Sequence, residues 1–351
     1  MVVQEINSFE EVKVLGPVWA DLLKGAGTNT IFQTLDWISS WWAAYGNGHR
    51  LCVLVLREGG EIKGIAPLML RDCRIFKRLT LIGGHRADYS DFIVHKDRPQ
   101  DYHELVSHMI FAMKCHDEIM LEDVPETSSL LHALTEHSRR FIMKKEVIDT
   151  CPYLTLDEQT GEVLRKIEAN QSLKRKTKKL TGKGNLRFRH YAIQEEMEKA
   201  LSPLLETYLQ RFDPANLEKR LPSEVAFHLE LLRRMVPKEM IQFAALELDD
   251  HPIAQHFGFG YNGVYHWVKP AFDPLYAEYS PGSMLLHHLI EHAWKNGFRE
   301  FDFLRGKESF KTDIAEQQRQ VVMVKLYKSL PKYILCAAAT SLNRWLQRRA
   351  F

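Results

Sequence analysis

Long apolar runs, paired cysteines and a strong net charge are all missing from this 351-residue chain. No stretch approaches the roughly 20 apolar residues needed to span a bilayer. The longest attempt, Tyr333 to Leu342, is short and flanked by Lys332 and Arg344. The first ten residues carry Glu5 and Glu10 and no apolar core, so a signal peptide is not expected and a cytoplasmic location is. The five cysteines, Cys52, Cys73, Cys115, Cys151 and Cys336, form no C-x-x-C pair, which excludes a zinc knuckle or dithiol redox centre of that type. An odd, scattered set suits thiols in a reducing compartment. The formal net charge is only +2, so nucleic-acid binding is not expected of the chain as a whole, and charge has to be read locally.

What is present is an ordinary globular composition, 45% hydrophobic and 26% charged, which gives no sign of disorder. The length exceeds what one core usually fills, so two domains are expected. Helical spacing of Leu35, Ile38, Trp41 and Trp42 behind a Thr34 cap predicts a helix over 34–45. Strands are predicted at 51–56, 62–70, 78–82, 91–94 and 118–121, with helices near 101–114 and 127–138. The second half repeats that plan. Helices at 194–211 and 223–235 precede strands at 241–248, 253–261 and 264–271. Asn262-Gly263 gives a hairpin signal between the last two. A helix over 283–296 stops at Asn296-Gly297, and strands follow at 300–304 and 321–327. The domains expected are 1–157, 158–335 and a basic C-terminal helix, 336–351. The fold class is α/β with mixed sheets.

The stretch from Ala271 to Ala315 concentrates the chemistry. Tyr279-Ser280-Pro281-Gly282-Ser283 feeds directly into a helix whose first-turn N–H groups carry the positive end of the macrodipole. Gly282 leaves room for an anion to approach the backbone, which suits a phosphate or pyrophosphate on Ser280, Pro281, Gly282, Ser283 and Met284. A Pro-Gly pair that does no more than start a helix is the other reading. Downstream, Asp302, Arg305, Gly306, Glu308 and Lys311 gather charge at a strand end. Phe301 and Phe303 point to one side of that strand, Asp302 and Leu304 to the other. A buried acid there needs a partner, with Arg305 and Lys311 as the expected ones. The cluster either binds an acceptor or anchors the loop as a salt bridge.

The segments "YSPGSMLLHHLIEHAWKNG", "FDFLRGKESFK" and, near the N-terminus, "IFQTLDWISSWW" resemble the acetyltransferases linked to cellulose and other exopolysaccharide biosynthesis, within the GNAT superfamily. That group is related to Fem-type peptidoglycan aminoacyltransferases, which pair two GNAT-like domains. The resemblance implies tandem GNAT-like domains, acyl-CoA as donor with its pyrophosphate on Ser280–Ser283, and direct acyl transfer with no metal. Of the glycines in the usual Q/R-x-x-G-x-G/A loop, only Gly282 has a counterpart.

Direct transfer needs a base for the acceptor, stabilisation of the carbonyl oxygen and a proton for the thiolate. The candidate bases are His256, Asp302 and Glu308, and Tyr279 is the candidate proton donor. A hydrogen-bonded core histidine is the alternative for His256, and packing for Tyr279. Arg305 and Lys311, with Asp88 and Asp91 of the loop "GGHRADYSDF", are the candidate acceptor contacts. His288 to His292 fits H-x-x-E-H, but it lies on the helix behind the phosphate loop and no third ligand is evident, so no metal is expected.

Lys174, Arg175, Lys176, Lys178, Lys179, Lys183, Arg187 and Arg189 form a run without an acid, calling for counter-charges elsewhere or an anionic partner. The expected activity is acylation of a hydroxyl or amine on a sugar or glycan precursor, within or beside a polysaccharide-synthesis complex. Competing readings are a Fem-type transferase using aminoacyl-tRNA and a non-catalytic accessory protein. The basic tail, with Arg344, Arg348 and Arg349, adds peripheral contact with the inner membrane as an expectation.

Overall fold

The computed structural model describes residues 1–138, 141–315 and 317–349, and all of their side chains except those of His85 and residues 341–349. The chain forms two compact units: residues 1–42, 46–149 and 320–351 in the first, and 43–45 with 150–319 in the second.

The first unit opens with β1 (Val2–Ile6), α1 (Phe9–Val14), α2 (Gly16–Lys24) and α3 (Leu35–Tyr45). The cap predicted for α3 is present, with Thr34 Oγ1 accepting from Trp37 N at 3.3 Å. Next come β2 (His49–Leu51), β3 (Val53–Glu58), β4 (Glu61–Ala66), β5 (Leu68–Asp72), β6 (Lys77–Leu81), β7 (Ile93–Val94), α4 (Gln100–Ser107), β8 (Glu118–Pro125) and α5 (Ser129–His137). One sheet runs β1-β3-β4-β7. The strand expected over 62–70 is two strands in two sheets. Pro67 lacks an N–H and interrupts the ladder, and its carbonyl accepts from Ile82 instead. Leu54, Leu56, Leu68, Leu79, Leu105, Leu121 and their neighbours form this unit's core.

β9 (Ile142–Thr155) leads into the second unit. There follow α6 (Thr160–Ala169), α7 (Gln171–Thr181), β10 (Leu186–His190), α8 (Gln194–Phe212), α9 (Leu217–Met235), β11 (Ile241–Leu248), β12 (His251–Tyr261), β13 (Val264–Phe272), α10 (Pro281–Lys295), β14 (Glu300–Asp302) and α11 (Ser309–Thr312). Strands β10 to β13 pair antiparallel in sequence order; β13 pairs parallel with β14, and β14 antiparallel with the end of β9. The β12–β13 turn is the predicted one, with Asn262 at φ 51° and Gly263 at φ 75°, the left-handed pair a tight hairpin needs. One sheet face, carrying Ala244, Leu246, Tyr265, Trp267, Phe301 and Phe303, packs on Leu285, Leu286, Leu289 and Ile290 of α10. A fully buried side chain of this size contributes about 1.5–3 kcal/mol, so α10 is held by its apolar stripe and its first turn is left to do other work.

β15 (Gln317–Tyr327) and α12 (Leu330–Arg349) return the chain to the first unit. Cys336 and Ala339 of α12 are buried against Phe76 and Tyr327. The side chains of Arg344, Arg348 and Arg349, on which the membrane expectation rests, lie outside the described residues. Among the described residues no helix is long and apolar enough to cross a membrane.

Candidate functional site

The site grows from the way α10 begins. A two-turn 3-10 helix, Pro274–Tyr279, is capped by Asp273, whose side chain accepts from Leu275 N at 2.9 Å. Ser280 then takes a left-handed conformation, φ 55°, which reverses the chain into Pro281 at the first helical position. The Ser280 carbonyl accepts from Ser283 N (3.1 Å) and Met284 N (3.3 Å). The start of a 15-residue helix is thereby presented at Ser280–Ser283.

A basic helix is docked on this turn. Asn170 caps α7 by accepting from Ser172 N and Leu173 N at 3.0 and 3.2 Å, which sets the helix's direction. Lys176 Nζ then donates to Ser280 Oγ at 2.8 Å, and Lys183 Nζ sits 5.2 Å from the centre of the Tyr279 ring. Lys174 and Lys178 line a cavity of about 480 Å³ with Met284, His287 and His288 of α10. The basic run divides in two. Arg187 and Arg189, on β10, are ion-paired to Glu247, Asp250 and Glu196. The lysines of α7 have no ion pair among the described residues.

The sheet opens beside this turn. Parallel pairing of β13 with β14 ends at His266↔Asp302, while β13 runs on to Phe272. At that point β13 carries a bulge, Trp267 and Val268 lying opposite Gly258 alone. Gly258 is obligatory, because a Cβ there would stand 2.2 Å from the His266 carbonyl oxygen.

Asp302, only 1% exposed, stands at the parting. Its Oδ1 accepts from Leu304 N at 2.8 Å and its Oδ2 from Arg319 Nη1 at 3.2 Å. Arg319 also bonds Glu300 at 2.7 Å and lies 3.8 Å from the Tyr153 ring centre. One ion pair on Asp302 thus comes from the start of β15, from a residue outside the predicted cluster. Lys311 is not an acceptor contact in this arrangement. It is buried, donating to the Arg305 carbonyl at 2.6 Å and paired with Glu308 at 3.0 Å, and so clamps the loop after β14. The Glu308 side chain is half exposed.

His256 does not fit a general base. It is fully buried, its Nε2 accepts from Val268 N at 3.3 Å, its Nδ1 meets Tyr265 Oη at 3.4 Å, and the ring stacks on Trp267 at 4.3 Å. Burial holds it well below the usual imidazole pKa. It is a neutral core histidine bridging the bulge. Asp91 is likewise internal, 1% exposed, accepting from Thr28 Oγ1 and Phe92 N, each at 2.7 Å; burial pushes it up to about 6. It ties the first unit's loops together; Asp88 is half-buried nearby in the chain. The H-x-x-E-H rings are packed: His288 stacks on Phe188 at 5.2 Å and His292 on His190 at 3.8 Å.

Sequence reasoning missed Arg319, and also a buried pair on α9. Glu224 and His228 are each 1% exposed, with Arg220 Nη2 donating to Glu224 at 3.1 Å and His228 edge-on to Phe257 at 5.0 Å. Phe257 and Asp302 lie on the sheet face opposite α10. A polar pair four apart beside Phe227 and Leu231 was the available signal.

Five imidazoles of this unit, His190, His256, His266, His288 and His292, are held low chiefly by burial, His190 and His266 at about 4. Each binds its proton more readily unfolded, near 6.5, so each withdraws stability as pH falls from about 6.5 toward 4. The pKa gap corresponds to roughly 3 kcal/mol per imidazole for the two at about 4. The melting temperature is expected to drop steeply across that window in differential scanning fluorimetry. A flat profile between pH 6.5 and 4.5 contradicts neutral burial of these rings.

Residues 168–312 match the acetyltransferase (GNAT) domain family. The second unit is thus a GNAT-type domain, and the protein is an acyltransferase. No curated protein matches the chain in sequence. In structure the chain is similar to FemX (TM-score 0.60, 11% identity, covering 91% of this chain and 97% of FemX). It is also similar to the C-terminal domain (DUF2156) of a protein assigned as a lysylphosphatidylglycerol synthetase from Agrobacterium fabrum (TM-score 0.53, 12% identity, 92% and 96%). A third similar structure is L-PGS from Bacillus licheniformis (TM-score 0.51, 10% identity, 88% and 97%). At such identities these likenesses speak to fold. They extend over both units, in keeping with the expected tandem α/β architecture.

Proposed function

We propose that the protein transfers an acyl group from acyl-CoA directly to a hydroxyl or amine of a sugar or glycan precursor. The observation that carries the donor assignment is Lys176 reaching Ser280 at the start of α10: a lysine without a carboxylate partner among the described residues, a left-handed turn and the Gly282 N–H of the helix start meet at one point. The pyrophosphate binds there, with Gly282 giving access to the backbone. The acyl-pantetheine arm lies where β13 and β14 part, which brings the thioester to Asp302. Asp302, oriented by Arg319, accepts the acceptor's proton. The acceptor oxygen or nitrogen bonds to the carbonyl carbon, the C–S bond breaks, and the thiolate takes a proton from Tyr279. Arg305 and Glu308 border the acceptor's approach.

Lys176→Ala is expected to weaken CoA binding roughly tenfold, the worth of one charge-assisted contact. The salt dependence of binding should become shallower. Calorimetry at two ionic strengths checks both; unchanged affinity removes α7 from the donor site.

A second reading has a specific observation behind it. The lysines of α7 without ion pairs, together with the fold shared with FemX and L-PGS, suit an aminoacyl-tRNA donor. Turnover with acyl-CoA and none with charged tRNA favours the first reading, and the reverse result favours the second. Location in the cytoplasm, beside a polysaccharide-synthesis complex or at the inner membrane, is part of the first reading.

A further inference from the structure

The first unit contains a cavity of about 490 Å³ that the acyl-transfer reading does not use. Three separate segments build it: the β5–β6 hairpin, residues 114–117 before β8, and the junction of β15 with α12. Five cations line it, Arg74, Lys77, Lys114, Lys328 and Lys332, against two carboxylates, Asp72 and Asp117. Both acids are already engaged. Asp72 accepts from Arg74 N at 2.9 Å; Asp117 accepts from Lys77 N at 2.8 Å and pairs closely with Lys332. Lys328 is half-buried, donates to the Met113 carbonyl at 3.0 Å, and is held below the usual lysine pKa chiefly by burial. Arg74, Lys77 and Lys114 have no ion pair among the described residues.

The wall also holds an unsatisfied group. His116 is 5% exposed, and among the described residues neither ring nitrogen has a partner at hydrogen-bond geometry; its one close polar neighbour is the Cys115 thiol, which it draws below the usual thiol pKa together with Cys52. A buried polar group without a well-formed hydrogen bond costs about 1–3 kcal/mol, so an imidazole with only a thiol neighbour on a cavity wall gains from a ligand that bonds it. A cation excess and a buried donor select an anion with several acceptor oxygens. The volume lies in the range of small-ligand pockets and exceeds what a bare oxyanion fills.

We propose that this cavity is a second ligand site, taking the phosphomonoester group of a small organic molecule. The phosphate binds His116, Lys114 and Lys77, with Lys328 at the inner end and the ester's carbon part along Ile75 and Phe76. The same chemistry could be presented by a free metabolite or by a lipid headgroup, since Lys332 at the rim begins α12.

Calorimetry on the full chain with glycerol 3-phosphate, and co-sedimentation with phosphatidic acid vesicles against phosphatidylglycerol vesicles, separates the two sources. Binding of glycerol 3-phosphate identifies a free ligand; binding of phosphatidic acid vesicles alone identifies a lipid. Either is expected to weaken at least roughly tenfold in Lys77→Ala/Lys114→Ala, whose exposed side chains can be removed without disturbing the core. His116→Asn, with melting measured in parallel, is expected to act in the same direction. Gly282→Val should leave this binding intact, which separates it from the donor site. No binding to either probe, or binding unaltered in the double variant, overturns the proposal.

Discussion

Gly282→Val is expected to abolish donor binding while leaving the fold intact. Gly282 is the second residue of α10, and its backbone is ordinary helix. A Cβ built there meets nothing closer than Phe272 Cδ1 at 3.5 Å, a normal van der Waals contact. The protein therefore has no packing need for glycine at this position. The space a side chain would fill is the space a pyrophosphate needs to reach the Gly282 N–H, the first-turn donor not already bonded to the Ser280 carbonyl, and the Lys176 ammonium beside it. Losing two charge-assisted hydrogen bonds at about 1.5–3 kcal/mol each weakens binding about 100-fold or more. Calorimetry with CoA and a melting curve check the two halves together. A folded variant that binds CoA as tightly as the parent removes the pyrophosphate from this turn. A variant that melts early shows that the glycine serves the fold.

Local chemistry was readable in advance, and distant partners were not. Asn262-Gly263 and the Thr34 cap announce themselves because each fixes its own backbone within a few residues. The helix after Pro281 was likewise legible, its start from Pro-Gly and its face from the leucine spacing. β9 was not predicted: Lys144, Lys145 and Glu146 give it no apolar alternation, and Pro152 lies inside it. α9 was expected to begin at 223, but it starts at Leu217 and accommodates Pro222 within its second turn. The pairing of Lys176 with Ser280 joins residues 104 apart, and that of Asp302 with Arg319 crosses from β14 to β15. No spacing rule reaches that far. Burial, too, was invisible. His256, Asp91 and Lys311 looked like chemistry because their side chains can do chemistry, yet the fold uses them internally, the first two bonded to backbone N–H groups and the third to a backbone carbonyl.

Asp302→Asn is expected to lower kcat by about 10²–10⁴, the usual range for removing a general base, with KM for both substrates nearly unchanged. The substitution is nearly isosteric. The amide oxygen can still accept from Leu304 N, and Arg319 keeps Glu300 and the Tyr153 ring as partners. Arg319 is more than a third exposed, so water can serve its lost contact, while the new amide NH2 is buried with Asp302 and faces a donor, so the loss of stability should be about 1–3 kcal/mol, the cost of one unsatisfied buried polar group. A large fall in turnover with a modest fall in melting temperature is therefore the signature of a catalytic carboxylate at the parting of β13 and β14. Arg319→Met should act as a positioning change: it leaves the carboxylate in place, lowers kcat less, and shifts the acidic limb of the pH–rate profile upward, because the carboxylate loses the cation that favours its ionised form. Glu308→Gln is the necessary companion, since the Glu308 side chain is half exposed and within the same loop. If Glu308→Gln carries the loss and Asp302→Asn does not, the base is Glu308. If both variants turn over at the parent rate on the true acceptor, Asp302 and Arg319 hold β14 to β15 and nothing more.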